Sequence, residues 1–174
     1  CALPISSGRV TPAAPTGLFG NNVLGINYIT ISTTGNAANF GSLAGGEFMG
    51  ACASSTRGVW AGGTGPTNVI SYVTISTLSN SSDFGDLTVA RLQPSGCSSS
   101  TRGLFGGGYI VSPLTYYNVI DYITIASAGN ATDFGDLNYL ASGNAACSSS
   151  TRGVFAGGYN GSSWVTTINY VTIA

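Results

Sequence analysis

The motif Cys-x-Ser-Ser-Thr-Arg-Gly occurs three times in this chain, beginning at Cys52, Cys97 and Cys147, and an apolar pair and glycines follow each copy. The copies are 45 and 50 residues apart. Repetition at such a period is typical of folds in which each unit buries its apolar faces only against its neighbours. The chain is therefore predicted to be an array of equivalent structural units.

Some spacings are held between the copies and one varies. Tyr28, Tyr72 and Tyr122 each precede the phenylalanine of a Phe-Gly pair by 12 residues, and a cysteine follows that phenylalanine after 12 or 13 residues. The distance from the glycine run to the tyrosine varies from 6 to 14 residues. Because insertions are tolerated at exposed loop tips, we expect this variable segment to form surface hairpins.

The repeated segments are predicted to be strands. Val69 to Ser76 and Val119 to Ala126 are rich in β-branched and aromatic residues and end in turn signals. Both faces of these strands are largely apolar, which predicts sheets stacked face to face. Gly153 to Gly158, Asp133 to Leu137 and the residues before each cysteine supply the other three strands. Four strands in a unit of this length predict an all-β fold of four-stranded antiparallel sheets, as in propeller blades.

The length of 174 residues fits one domain. The repeat units predicted from the copies are 16–56, 57–101, 102–151 and 152–174, preceded by a segment of residues 1–15. The last unit stops after its tyrosine strand. We expect residues 1–15 either to pair within their own chain or, as favoured here, to complete the unfinished sheet of a neighbouring copy by strand addition. Head-to-tail contacts of the second kind generate rings or filaments of identical subunits.

A family resemblance rests on these same residues. The apolar pair with Gly-Gly, the tyrosine strand and the later aromatic resemble the kelch-type β-propeller repeat. The string from Thr101 to Leu137, which includes Thr-Arg-Gly-Leu-Phe-Gly-Gly-Gly-Tyr and Thr-Asp-Phe-Gly-Asp-Leu, is similar to repeats of kelch-like structural or tail-fibre proteins in phages of aquatic bacteria. The resemblance covers about residues 16–174. It implies a propeller-type fold of about four blades, the last one incomplete, and a virion-surface or extracellular location, but no catalytic residues.

The first copy departs most from the pattern of the resemblance. Thr16 stands in place of the arginine, and Asn39 and Ser42 stand in place of the two aspartates.

Composition excludes several functions. Only 6% of the residues are charged, against about 25% in average domains, and a nearly neutral surface favours association. All five basic residues are Arg, so no basic patch for nucleic acid is predicted. No apolar run approaches the length of a membrane span. His is absent and the Ser runs have no activating base, so we predict neither an enzyme nor a cofactor.

The cysteines match no zinc-site spacing. We interpret Cys52, Cys97 and Cys147 as small apolar side chains buried at equivalent strand positions. Disulfides, with Cys1 as a further partner, are the alternative in an extracellular fibre.

The aspartates recur in step with the arginines. Asp83/Asp86 and Asp133/Asp136 are pairs of carboxylates, which makes Ca²⁺ binding one hypothesis. The favoured interpretation is structural, in which these aspartates cap turns or pair with three arginines: Arg57, Arg102 and Arg152.

Three sequons, at Asn80, Asn130 and Asn160, are candidate N-glycosylation sites. Asn80 and Asn130 occupy equivalent predicted turns. Such matches also arise by chance in a chain rich in Asn, Ser and Thr.

Two functional hypotheses from different classes follow. The first is a structural building block of an extracellular fibre or virion appendage. The second is a module that binds a cell-surface glycan or receptor through the variable hairpins. The hairpin aromatics that would stack on sugars, or alternatively pack on their own hairpin or an adjacent subunit, are Tyr109, Tyr116, Tyr117, Tyr159 and Trp164.

Overall fold

The computed structural model describes residues 5–6, 16–20 and 24–173 of the chain. The regular secondary structure in these residues is entirely β-strand, so the all-β prediction is confirmed. The strands form several small antiparallel sheets that, within the described ranges, close into neither a barrel nor a propeller. Across the same ranges there is no apolar helix long enough to cross a bilayer.

Four sheets, numbered I to IV along the chain, share one strand order. Sheet I contains β1 (Ile5–Ser6), β2 (Thr16–Gly20), β3 (Gly25–Thr30) and β4 (Ala38–Ser42). Sheet II contains β5 (Gly50–Ala53), β6 (Arg57–Ala61), β7 (Val69–Thr74) and β8 (Ser82–Asp86).

Sheets III and IV follow the same order, and a small ribbon is inserted in sequence between the second and third strands of sheet III. The ribbon joins β11 (Tyr109–Val111) to β12 (Leu114–Tyr116). Sheet III contains β9 (Ser95–Ser98), β10 (Arg102–Gly106), β13 (Val119–Thr124) and β14 (Thr132–Asp136). Sheet IV contains β15 (Ala145–Ser148), β16 (Arg152–Ala156) and β17 (Ile168–Thr172).

Each sheet begins one strand earlier than the corresponding sequence unit. The strand that carries Cys52 pairs with β6 of the following unit, with Cys52 opposite Val59. In sheet I the equivalent first position is taken by β1, where Ile5 pairs with Gly17 of the same chain. The described part of residues 1–15 therefore lies on the first sheet of its own chain, and the other residues of that segment are outside the described ranges.

The core lies between consecutive sheets. Between sheets II and III, Cys52, Val59 and Ile70 face Phe105 and Ile123, and all five are buried. Equivalent residues form the cores between sheets I and II and between sheets III and IV. Fully burying an aliphatic or aromatic side chain contributes about 1.5–3 kcal/mol, so this face-to-face contact is what holds successive sheets together.

The Gly-Gly pairs end the second strand of each sheet from II to IV. Gly107 and Gly108 have φ values of +73° and +109°, which side chains with a Cβ adopt at a cost. The N–H of Gly108 donates to Ala141 O at 2.7 Å, in the segment that leads to sheet IV. The glycines thus turn the chain where the next sheet approaches its backbone closely.

Candidate functional site

The ribbon β11–β12 brings two predicted ligand-binding residues together. Tyr109 and Tyr116 are opposite each other in the ribbon, and their rings stack with centroids 5.5 Å apart and an interplanar angle of 17°. A short hairpin of this kind places cross-strand side chains next to each other on one face.

The hairpin of sheet IV extends this row of rings. The ring centroid of Tyr159 lies 5.9 Å from that of Tyr116 and 5.5 Å from that of Trp164, and both pairs of rings are edge-to-face. Asn160 fixes the hairpin, because its Oδ1 accepts hydrogen bonds from the N–H groups of Ser162 and Ser163. We call Tyr109, Tyr116, Tyr159 and Trp164 the aromatic cluster.

Exposure within the aromatic cluster is uneven. The side chain of Trp164 is 79% exposed, whereas the three tyrosines are half-buried against one another. Tyr117, the fifth predicted residue, makes no ring contact with the cluster among the described residues, and its N–H donates to Gly108 O. The predicted alternative, packing of the aromatics on their hairpins, therefore describes the tyrosines, while Trp164 contacts Tyr159 and leaves most of its ring exposed.

The repeated arginines contact tyrosine rings. The guanidinium carbon of Arg57 lies 4.5 Å from the ring centroid of Tyr72, and Nη1 of Arg57 donates to Ile125 O of sheet III at 2.9 Å. Arg102 repeats both contacts, with Tyr122 and with Ile173 O of sheet IV. Each of these arginines thus joins its own sheet to the next one.

The predicted pairing of the repeated aspartates with these arginines is wrong. Asp83 Oδ1 accepts the N–H of Gly85 at 3.1 Å, and Asp133 Oδ1 accepts that of Gly135 at 2.9 Å. The turn-capping half of the interpretation is therefore confirmed for Asp83 and Asp133. In the part of the chain that the structure describes, no group of acidic residues and cysteines is arranged to hold a metal ion.

The ion pair found among the described residues is one that the repeat did not predict. Arg91 Nη2 lies 3.0 Å from Asp121 Oδ2, and both side chains are fully buried. Arg91 also donates to Phe105 O, and Asp121 accepts the N–H and the hydroxyl of Thr88. Burial lowers the pKa of Arg91, and the charge of Asp121 opposes that shift.

A sequence signal for this pair did exist. Asp121 occupies a strand position where sheet II has Ser71 and sheet IV has Asn169. Arg91 is an arginine outside the repeated motif.

The cysteines are free thiols in the described structure. Cys52 and Cys97 are buried, as predicted, and burial raises the pKa of both, that of Cys97 to about 12. Cys147 is exposed, contrary to the prediction, because no further sheet covers that face of sheet IV among the described residues. Cys1 lies outside the described residues.

The sequon asparagines have structural contacts. Asn80 Oδ1 accepts the N–H of Ser42 at 3.0 Å, and Asn130 Oδ1 accepts that of Asp86 at 3.1 Å, so each reaches from one sheet to the preceding one. Asn160 caps its own hairpin. Glycosylation of these residues stays a prediction.

A cleft of about 290 Å³ opens where the first strands of sheets II, III and IV begin. Its lining includes Phe48, Gln93 and Asn144 from equivalent parts of the three sheets, and it contains no acidic or basic side chain. The cleft therefore offers no acid–base pair for catalysis.

No family model matches the chain, and no curated protein matches it.

Proposed function

We propose that this protein is a structural building block of an extracellular fibre or phage virion appendage, in which kelch-like, propeller-type repeats of identical subunits associate through β-strand addition. The observation that carries the proposal is the open edge of β17 in sheet IV.

Sheet IV has three strands among the described residues, whereas sheets II and III have four. In sheet II the ring of Tyr72 packs edge-to-face on Phe84 of the fourth strand, with centroids 5.7 Å apart. Tyr170, the equivalent of Tyr72 on β17, is 64% exposed. An edge strand with unpaired backbone groups and an apolar side is a template for a strand from elsewhere.

The surface chemistry also supports assembly. The low fraction of charged residues gives little electrostatic repulsion between copies. Consecutive sheets of the chain already pack on each other through one repeated kind of contact, and further copies could pack in the same way.

Strand addition is tested with a soluble donor strand. A synthetic peptide of residues 129–137, which include β14, is titrated into the purified chain, and particles are examined by negative-stain microscopy with and without the peptide. We expect saturable binding and shorter assemblies. A peptide with Phe134→Ala is the matched control, and about tenfold weaker binding is expected because the aromatic pair is lost. A chain that forms no particles and binds neither peptide would contradict the proposal.

The second candidate function is binding of a cell-surface glycan, and the aromatic cluster favours it. Trp164 and the adjacent tyrosines form a continuous row of rings that spans the ribbon and the hairpin of sheet IV. Flat apolar ring faces next to polar hairpin residues suit the apolar faces of sugars.

A glycan array tests the second candidate. Binding that disappears in Trp164→Ala and persists in Leu114→Ala is the expected result. Leu114 is the control because it is 63% exposed on the ribbon and is not aromatic. Equal loss in both variants would exclude a specific role for the rings.

A further inference from the structure

Sheet IV exposes a face that the preceding sheets bury. We call Cys147, Val154, Ile168 and Tyr170 the tail face. Ile168 is 68% exposed, whereas its equivalents Ile70 and Ile120 are buried. Apolar groups on one sheet face are stabilised by a covering layer, and this face has none among the described residues.

Sheet I exposes apolar residues on the face that, in sheets II to IV, packs against the preceding sheet. We call Phe19, Ile29 and Ile31 the head face, because they lie on the side of sheet I away from sheet II. Ile31 is 44% exposed, whereas the residues equivalent to it in the later sheets are each 1% exposed: Ile75, Ile125 and Ile173.

Among the described residues, the head face and the tail face carry the two halves of the interior contact. At the junction of sheets II and III, one side is formed by Cys52, Val59 and Ile70 and the other side by aromatic and branched residues of sheet III. The tail face repeats the first side with Cys147, Val154 and Ile168. The head face repeats the second side, with Phe19 at the position of Phe105 and Ile31 at that of Ile125.

A glycine position supports the same fit. A Cβ on Gly103 would lie 2.6 Å from Cys52 Sγ of the preceding sheet, and one on Gly153 would lie 2.9 Å from Cys97 Sγ. Sheet I has Gly17 at this position, and the atoms nearest to a Cβ there belong to Ile29 and Phe19 of its own sheet, at 3.2 Å and 3.4 Å, with no cysteine sulfur among them. Sheet I therefore has the same residue type at the place where a cysteine sulfur of the preceding sheet lies in sheets III and IV.

The contacts of Arg152 also support the fit between the tail face and the head face. Arg57 and Arg102 donate to the carbonyl oxygens of Ile125 and Ile173 in the next sheet. Arg152 stacks on Tyr170 in the same way, but no such acceptor reaches it from the described residues. The matching carbonyl on sheet I is that of Ile31.

We infer that the tail face of one copy binds the head face of a second copy, so that sheet IV and sheet I form the same junction that joins sheets II and III. In this arrangement Cys147 Sγ lies over Gly17, and Arg152 donates to Ile31 O. The inference rests on the proposed structural role and adds a contact between sheet faces to the strand addition at the edge of β17. Because the two faces differ, the contact is heterologous and generates a ring or a filament.

Single-ended variants test this contact. Ile31→Glu blocks the head face and Ile168→Glu blocks the tail face, both at exposed positions. With the edge of β17 saturated by the peptide of residues 129–137, each variant alone is expected to be monomeric in sedimentation velocity, with face-to-face association weakened about 100-fold or more because a carboxylate would be buried without a partner. An equimolar mixture is expected to form a dimer and nothing larger, since each chain keeps one competent face. Leu114→Glu, on the ribbon, is the matched control and should assemble like the wild type.

The outcomes separate this inference from the proposed function. Particles that both variants still form with that peptide present overturn the inference and leave assembly by strand addition to the peptide titration alone. A wild-type chain that is monomeric at every concentration overturns both. Folded monomeric variants that fail to dimerise on mixing, or an Ile31→Glu variant that still dimerises, overturn the head-to-tail arrangement.

A cross-link tests the register of the contact. In a Cys1→Ser background, Gly17→Cys is expected to give disulfide-linked ladders under mild oxidation, through Cys147 of the neighbouring copy. Adding Cys147→Ser should abolish the ladders. Ladders that survive this change, or their absence from wild-type-like particles of the Gly17→Cys variant, would exclude the proposed register.

Discussion

The junction between sheets II and III and the junction between sheets III and IV share their apolar contacts and differ in their polar ones. At the first junction, Thr88 donates to the buried carboxylate of Asp121, which also pairs with Arg91. At the second, exposed Asn138 and half-buried Asn169 exchange two hydrogen bonds between their side chains and backbone. The apolar contacts thus set how sheets stack, and the polar contacts at one fixed position vary freely as long as donor and acceptor match.

The largest expected difference between the two junctions concerns their polar pairs. Asp121→Ala leaves Arg91 charged and buried without a counter-charge, and we expect it to lower the free energy of unfolding by about 3–5 kcal/mol. Asn169→Ala removes hydrogen bonds near the surface and should cost about 0.5–1.5 kcal/mol. Urea denaturation of both variants measures the difference. Similar costs would mean that the buried pair is not the polar centre of its junction.

The second difference concerns two glycines at equivalent positions. Gly85 and Gly135 have φ values of +139° and +130°, so alanine strains the backbone at both. A Cβ at Gly85 would also lie 2.5 Å from the backbone of Gly129 in sheet III, whereas nothing among the described residues lies within 4 Å at Gly135. We expect Gly85→Ala to cost about 1–3 kcal/mol more than Gly135→Ala in the same unfolding assay. Equal costs would show that the contact with Gly129 is not tight.

A smaller difference separates two arginines. Arg102 and Arg152 both stack on a tyrosine, but only Arg102 donates to a carbonyl of the next sheet. Arg102→Ala should lower the free energy of unfolding by about 1–2 kcal/mol, and Arg152→Ala by about 0.5–1 kcal/mol. The comparison is made at concentrations where the chain is monomeric. A larger cost for Arg152→Ala would contradict the assigned contacts.

The smallest effect on stability is expected at the cysteines. Burial raises the pKa of the Cys97 thiol to about 12, so at pH 8 it is neutral as well as inaccessible, whereas Cys147 is exposed. In a Cys1→Ser background, at concentrations where the chain is monomeric, iodoacetamide should modify Cys147 alone and change stability by less than about 0.5 kcal/mol. Mass spectrometry of the digested protein identifies the site. Rapid labelling of Cys97 in the folded chain would disprove its burial.

Much of the fold was predictable because it is carried by residue types that recur. The spacing of Tyr72 and Phe84 predicted two strands, and the structure places their rings in contact. The assignment of strands to sheets was harder, because sequence identity between copies does not say which neighbouring strand a segment pairs with. Cys52, for example, lies near the end of the first sequence unit, but its strand β5 pairs with β6 of the second unit.

The contacts of the candidate sites were less predictable. A recurring Asp and a recurring Arg suggested ion pairs, but the strand geometry directs Arg57 to a tyrosine ring and to a carbonyl of the next sheet. The buried pair of Arg91 and Asp121 belongs to a single junction and left no periodic signal. Trp164 was identified from its residue type and its place in a variable hairpin, but its contact with Tyr159 depends on a turn that the repeat does not contain.

The one-strand offset between sequence units and sheets has a consequence for unfolding. Since β5 and β9 each continue from one unit into the sheet of the next, detaching a unit breaks hydrogen bonds in two sheets at once. Arrays whose units end at the same place as their sheets can fray one unit at a time. In this chain no unit can detach without disrupting the sheet of its neighbour. We therefore expect force or denaturant to unfold the chain in one cooperative transition.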